Sequence, residues 1–189
     1  YHLSIVCQMR DDVPRAESTL RRVLEIRRST FGDDHPSVVQ SLLALARLYR
    51  RSDPARAEAQ FREAIELQRR TLAPDDYRGS YALLELGRLL FQRGEVEEAE
   101  ALSKQAYELR RQTLPAGHWE TAFARAQWGR CLAARGEWAA GREHVQAGLA
   151  TIEQHLGEDH RRVGEVRGWL EDLGESGEAR VEPDKKEPR

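Results

Sequence analysis

Three arginines stand at matching places in three short segments: Arg47 in LARLY, Arg88 in LGRLL and Arg130 in WGRCL. A guanidinium offers planar donors that match a carboxylate two at a time. A row of them at one spacing is chemistry for gripping an acidic chain. One helical turn earlier come Leu43, Leu84 and Ala126, and Gln40, Tyr81 and Phe123 continue that face. Gln127 lies next to Ala126. Two readings stand. In one, the arginines take carboxylates and the neighbouring strip takes side-chain anchors of an extended peptide. In the other, repetition merely copies a solvated arginine.

His35, His118 and His160 recur at separations of 83 and 42 residues, with Asp76 in the missing register. Equivalent places in stacked units lie far beyond the ~2 Å reach of ligands on one zinc ion. They therefore read as helix caps with a polar contact to the preceding unit. His155 and His160, with Glu158 and Asp159 between, lack HExxH spacing and read as a solvated turn. Cys7 and Cys131 fall at apolar positions inside helices and read as inert buried thiols. No GxSxG, Gly-rich phosphate loop or paired-carboxylate motif is present. No nucleophile, base and oxyanion donor converge, so an enzyme, a bound metal and a cofactor are not expected. The acidic stretch 95–100 suits a helix N-terminus, and Glu58–Arg62 and Glu66–Arg70 are helix-surface pairs. Trp128 holds the core register of Leu45 and Leu86, whereas Trp119 stands at a unit boundary.

The elements that carry these residues repeat. AEAQFREAIELQRRTL (57–72) and AEALSKQAYELRRQTL (99–114) share an offset of 42 residues. AESTLRRVLEIRRSTF (16–31) fits at an offset of 41 and GREHVQAGLATIEQHL (141–156) at 42. Apolar residues recur at helical spacing, as at Leu83, Leu86, Leu89 and Leu90, and strand patterns are absent. Gly94 and Gly136 follow first helices, where a left-handed residue closes the helix. Ser52-Asp53-Pro54 does that job one residue sooner, and Pro36 suits a first turn. The spacing predicts helices over 2–11, 14–31, 36–51, 54–71, 77–93, 95–112, 119–135, 137–155 and 160–173. Short connections make the members of each pair antiparallel neighbours. Residues 1–173 then form one repeat array, with three full units and a partial unit at each end. Residues 174–189 form a charged tail too polar to order, and helix 160–173 serves as the polar end cap.

Composition narrows the function classes. The net charge is −2 with 33% charged residues, so no basic field recruits nucleic acid. No apolar run reaches the ~20 residues of a membrane span. The two cysteines form no disulfide framework, and a cytoplasmic setting is expected. The first residues, Tyr1 to Cys7, read as mid-helix, which suggests a piece of a longer protein.

This pattern resembles the tetratricopeptide repeat, in its 42-residue kinesin-light-chain-like variety. The likeness rests on small residues at Ala46, Gly87 and Gly129, at Ala57, Ala99 and Gly141, and at Ala64, Ala106 and Gly148. It also rests on Gly32-Asp33-Asp34-His35-Pro36 and the weaker Gly157-Glu158-Asp159-His160. Helices packing at ~8–10 Å need small residues at their closest approach. The resemblance implies an all-α, right-handed α-solenoid of stacked antiparallel helix hairpins, whose first helices line a concave groove. In that family an Asn pair near the groove clamps peptide backbone. Here the matching places hold Leu43-Ala44, Leu84-Glu85 and Ala126-Gln127, and the chain contains no asparagine.

The sequence therefore predicts a non-catalytic interaction scaffold, a module of a larger bacterial regulatory or signalling protein. It binds a protein or peptide partner, with an acidic segment favoured by the arginines, and neither nucleic acid nor membrane. The competing expectation is self-association through the solenoid ends, with Leu3, Ile5 and Val6 forming one apolar end, or through the outer face.

Overall fold

The helices begin and end where local chemistry dictates. The computed structural model describes residues 13–178, and every regular element among them is helical. The order is α1 (Val13–Phe31), α2 (Pro36–Tyr49), α3 (Pro54–Thr71), a 3-10 turn (Tyr77–Gly79), α4 (Ser80–Gln92), α5 (Val96–Thr113), α6 (Trp119–Ala134), α7 (Trp138–Leu156) and α8 (Arg161–Glu178). The predicted helix over 2–11, with Leu3, Ile5, Val6 and Cys7, lies outside the described residues, as does the tail from 179 onward.

Turn glycines close two first helices in the same way. Gly94 has φ +85° and Gly136 φ +97°. The Glu95 amide donates to Leu90 O at 2.9 Å and the Gly94 amide to Phe91 O at 3.1 Å. Glu137 and Gly136 repeat this toward Leu132 O and Ala133 O at 3.0 and 2.9 Å. These paired bonds satisfy carbonyls that a helix end leaves open, and they need a residue without Cβ strain at the corner. Pro36 and Pro54 sit in the first turns of α2 and α3.

Two ends differ from the periodicity. Helix α4 starts only at Ser80, after a 3-10 turn whose Gly79 amide bonds to Asp76 O at 3.0 Å. Glycine in a first turn carries the largest backbone entropy cost, which favours the tighter turn there. Helix α8 runs past the predicted end at Leu173 to Glu178. Lengthening a formed helix adds a hydrogen bond per residue without a new nucleation cost.

The chain divides into two units, residues 1–89 and 90–189. In the first, α2 packs on both α1 and α3. Val38, Leu42, Leu45, Ala46 and Tyr49 of α2 are buried with Ala57, Phe61, Ala64 and Leu67 of α3. In the second, α7 packs on α6 and α8. Its core joins Phe123, Ala126, Val145, Leu149, Ile152, Val163, Val166 and Trp169, with Leu156, Leu170 and Leu173 partly buried against them. All the small residues of the repeat pattern are buried.

Candidate functional site

The first-helix arginines come to rest in different surroundings. In the first unit, Arg47 on α2 is exposed, Gln40 is exposed, and Arg88 on α4 is half-buried. Leu43 and Leu84 are buried at 9% and 5% exposure, so they wall the face from within. Tyr81 is half-buried and meets Tyr77 edge-on, with ring centroids 6.0 Å apart. Arg47 Nε lies 3.4 Å from Glu85 Oε1, and Arg50 Nη1 lies 3.4 Å from Glu85 Oε2. One carboxylate thus sits between two guanidiniums from the neighbouring first helix.

In the second unit Arg130 lies between two rings. Its guanidinium carbon is 4.3 Å from the Phe91 ring centre and 4.4 Å from that of Trp169. Trp169 meets Phe123 at 5.5 Å, and Arg162 covers Phe123 at 4.3 Å. Cations over aromatic faces are favoured by the ring quadrupole, more so when partly desolvated. Such stacking uses the guanidinium faces and none of its in-plane donors. Phe123 is buried, and Gln127 is buried with its amide donating to Ser103 Oγ at 3.1 Å.

These partners follow one rule that the sequence did not reveal. Ala44, Glu85, Gln127 and Trp169 share a register. Arg47 meets Glu85 and Arg130 meets Trp169, each arginine reaching that register on the next first helix. The residue type changes at every repeat, which hides the pairing from sequence comparison.

The histidines cap helices. The Nδ1 atoms of His35, His118 and His160 accept the amides of Ser37, Glu120 and Arg162 at 3.2, 3.2 and 3.1 Å. Asp76 accepts the Arg78 amide at 2.9 Å in the same register. Hydrogen bonds from the Arg78 side chain hold the Asp76 carboxyl below its usual range. Among the described residues no group of three or more His, Cys, Asp or Glu could hold a metal ion. Cys131 is buried, and burial pushes its thiol up to about 11, which suits an inert thiol.

A second set of contacts accompanies the caps and was not read from the sequence. Arg27 Nη1 donates to Ser37 O at 2.8 Å, Gln68 Nε2 to Arg78 O at 2.9 Å, and Arg110 Nη1 to Glu120 O at 2.8 Å. Each clips a second helix to the first turn of the next hairpin. The fourth place in that register is Ile152, which has no donor. The acceptor common to all three is a backbone carbonyl, with Ser41 Oγ a further acceptor for Arg27 Nη1 at 2.8 Å, so no recurring acceptor side chain marks the contact.

Trp128 is half-buried rather than fully within the core. It lies against Tyr107 at 5.6 Å and His144 at 4.5 Å, with Lys104 Nζ 5.5 Å above the ring. The indole thus lies against side chains of both α5 and α7. His144 Nδ1 accepts from Arg125 Nε at 3.0 Å. Burial, and then the Arg125 charge, hold the His144 ring below its usual pKa. No helix among the described residues is long and apolar enough to cross a membrane.

With hairpins, seams and caps established, comparison with known proteins decides the family. The tetratricopeptide repeat model matches residues 1–70 and 50–112, more than half of the chain. This chain belongs to the tetratricopeptide repeat family. Tetratricopeptide hairpins thus account for the buried small residues and the recurrent caps. A kinesin-light-chain-type protein from Podosopora anserina with nearly identical TPR-like repeats has a similar structure. Its single-substitution variant superposes with a TM-score of 0.75 at 23% identity, covering 95% of this chain and 85% of that one. The unsubstituted form gives 0.73 over the same shares. BtubC (BKLC) from P. vanneervenii gives 0.70 at 18% identity, covering 88% and 67%. At these identities the likeness is one of fold, shared with the TPR-like repeats of kinesin-light-chain-type proteins. No curated protein sequence matches the chain.

Proposed function

We propose that this chain is a non-catalytic protein–protein interaction scaffold that holds an extended segment of a partner against its first-helix face. The observation that carries this reading is Arg47, whose side chain is 50% exposed on a first helix yet already engages a carboxylate. Tetratricopeptide membership supports a scaffold role, and the half-buried Arg88 supplies a second cation on the same kind of helix. Acidic or mixed segments fit this chemistry best. A place within a larger bacterial regulatory or signalling protein, in the cytoplasm, is part of this reading.

The test uses a partner retained by the immobilised chain and an Arg47→Glu/Arg88→Glu variant whose helicity is verified by circular dichroism. Binding falls by about tenfold or more at low salt, and the difference narrows at high salt. Equal binding by both forms at every salt concentration overturns the reading.

A second reading rests on a separate observation. Ile26 and Phe31 on α1 are 52% and 56% exposed. Large apolar side chains at the surface favour self-association through that helix. Light scattering across a concentration series checks it: rising mass supports it, and constant monomer mass overturns it.

A further inference from the structure

We infer that Arg47 and Arg50 form a carboxylate clamp and that Glu85 is its internal occupant, which an acidic partner segment must displace. This inference rests on the peptide-binding reading above and names the chemistry of the partner. Each Glu85 oxygen faces a different guanidinium, at 3.4 Å in both cases. A charge-assisted N–H···O bond closes to ~2.7–2.9 Å, so the clamp holds Glu85 loosely. The side chains of Arg47 and Arg50 are 50% and 29% exposed, whereas that of Glu85 is 14% exposed. The cations therefore reach solvent past the carboxylate that joins them. Contacts this long, made by guanidiniums open to solvent, contribute little to stability, which makes exchange for another carboxylate inexpensive.

Register argues against a merely repeated surface pair. The places equivalent to Glu85 hold Ala44, Gln127 and Trp169, so the acid is particular to α4. An arriving carboxylate gains the two guanidiniums but also meets the released Glu85. Segments with a single acid are thereby disfavoured, and segments with several neighbouring acids are selected. Glu85 acts as a specificity-determining residue, through competition for the clamp.

The experiment measures fluorescence anisotropy of a short fluorescein-labelled poly-glutamate peptide with the wild-type chain, Glu85→Gln, and Glu85→Gln/Arg47→Gln. Glu66→Gln changes net charge equally on a second helix and serves as control. Unfolding curves verify that each variant is folded. Glu85→Gln binds at least about fivefold tighter than wild type, at the lower end of typical coupling between competing ligands. The added Arg47→Gln removes that gain, and Glu66→Gln reproduces the wild type. Binding of equal strength by wild type and Glu85→Gln overturns the internal-occupant account and leaves the peptide-binding reading standing. A gain of equal size in Glu66→Gln also overturns it, because net charge alone then explains the change. No binding by any form overturns the clamp and its acidic-partner chemistry, whereas the peptide-binding reading is judged by the retained-partner test above.

Discussion

Arg47 and Arg130 occupy one register on two first helices, yet one is held by a carboxylate and the other by two rings. The first arrangement is open and screened by salt. The second is half-buried and joins α6 to the α8 indole. The difference teaches that the repeat conserves a reach, from one first helix to the next, without conserving what meets it. It also separates roles: Arg130 helps seat Trp169, whereas Arg47 keeps a solvent-facing cation.

The hairpin seams differ in parallel. Between α2 and α3 the close-approach places are Ala46, Ala57 and Ala64, each fully buried. Between α6 and α7 they are Gly129, Gly141 and Gly148. A methyl on Gly129 would lie 2.7 Å from Gly141 O, and one on Gly141 would lie 2.6 Å from Gly129 O. These contacts are to backbone, so no rotamer relieves them. The later hairpin has given up side chains at its seam for a closer helix approach.

The largest expected effect tests the ring-held arginine. Trp169→Ala empties a buried site and removes the Arg130 stack, costing about 3–5 kcal/mol in urea unfolding. Glu85→Ala, its register mate, costs under about 1 kcal/mol. Equal losses would erase the distinction between the two arrangements.

Next come the seams. Gly141→Ala gains helix propensity but forces backbone apart, for a net loss of about 1–3 kcal/mol in the melting or urea midpoint. Ala57→Gly loses about 1 kcal/mol through backbone entropy and a lost methyl. A stabilised Gly141→Ala protein would show that the later seam has slack. Gly87→Leu, at a buried first-helix place, loses about 1–3 kcal/mol by the same overpacking.

The junction contacts give a smaller effect. Arg110→Met removes the charged donor to the Glu120 carbonyl at the start of α6 and costs about 1–2 kcal/mol. His118→Ala removes a cap and costs about 1 kcal/mol, whereas His118→Asp, copying Asp76, loses less. Chemical denaturation of the variants side by side checks the order.

The smallest effect is pH dependence at the later hairpin. The folded chain favours neutral His144 because burial and Arg125 lower its pKa. Its contribution is fully present above the unfolded histidine pKa and is lost as pH falls toward the lower folded value. The urea midpoint therefore drops on acidification more in wild type than in His144→Gln, which imports the residue found at Gln60 in the α2–α3 hairpin. Parallel slopes would remove His144 from the account.

Much of this architecture was legible because chain physics restricts it sharply. Helix pairs, turn glycines, small seam residues and histidine caps each demand particular residue types at fixed spacing. The Arg27, Gln68 and Arg110 clips were not legible, since a backbone carbonyl accepts and the donors differ. The site was legible only as a row of arginines. Their partners, Glu85 and Trp169, belong to a register whose residue type changes at every repeat. Burial of Leu43, Leu84 and Phe123 also depended on packing that a linear pattern does not specify.

Site-specific photo-crosslinking tests the first-helix claim most directly. A benzophenone amino acid is placed at Gln40, exposed on α2, or at Arg69, exposed on α3. The account predicts that a retained partner crosslinks from position 40 and only weakly from position 69. Crosslinking from position 69 alone would contradict it and move the interaction to the second helices.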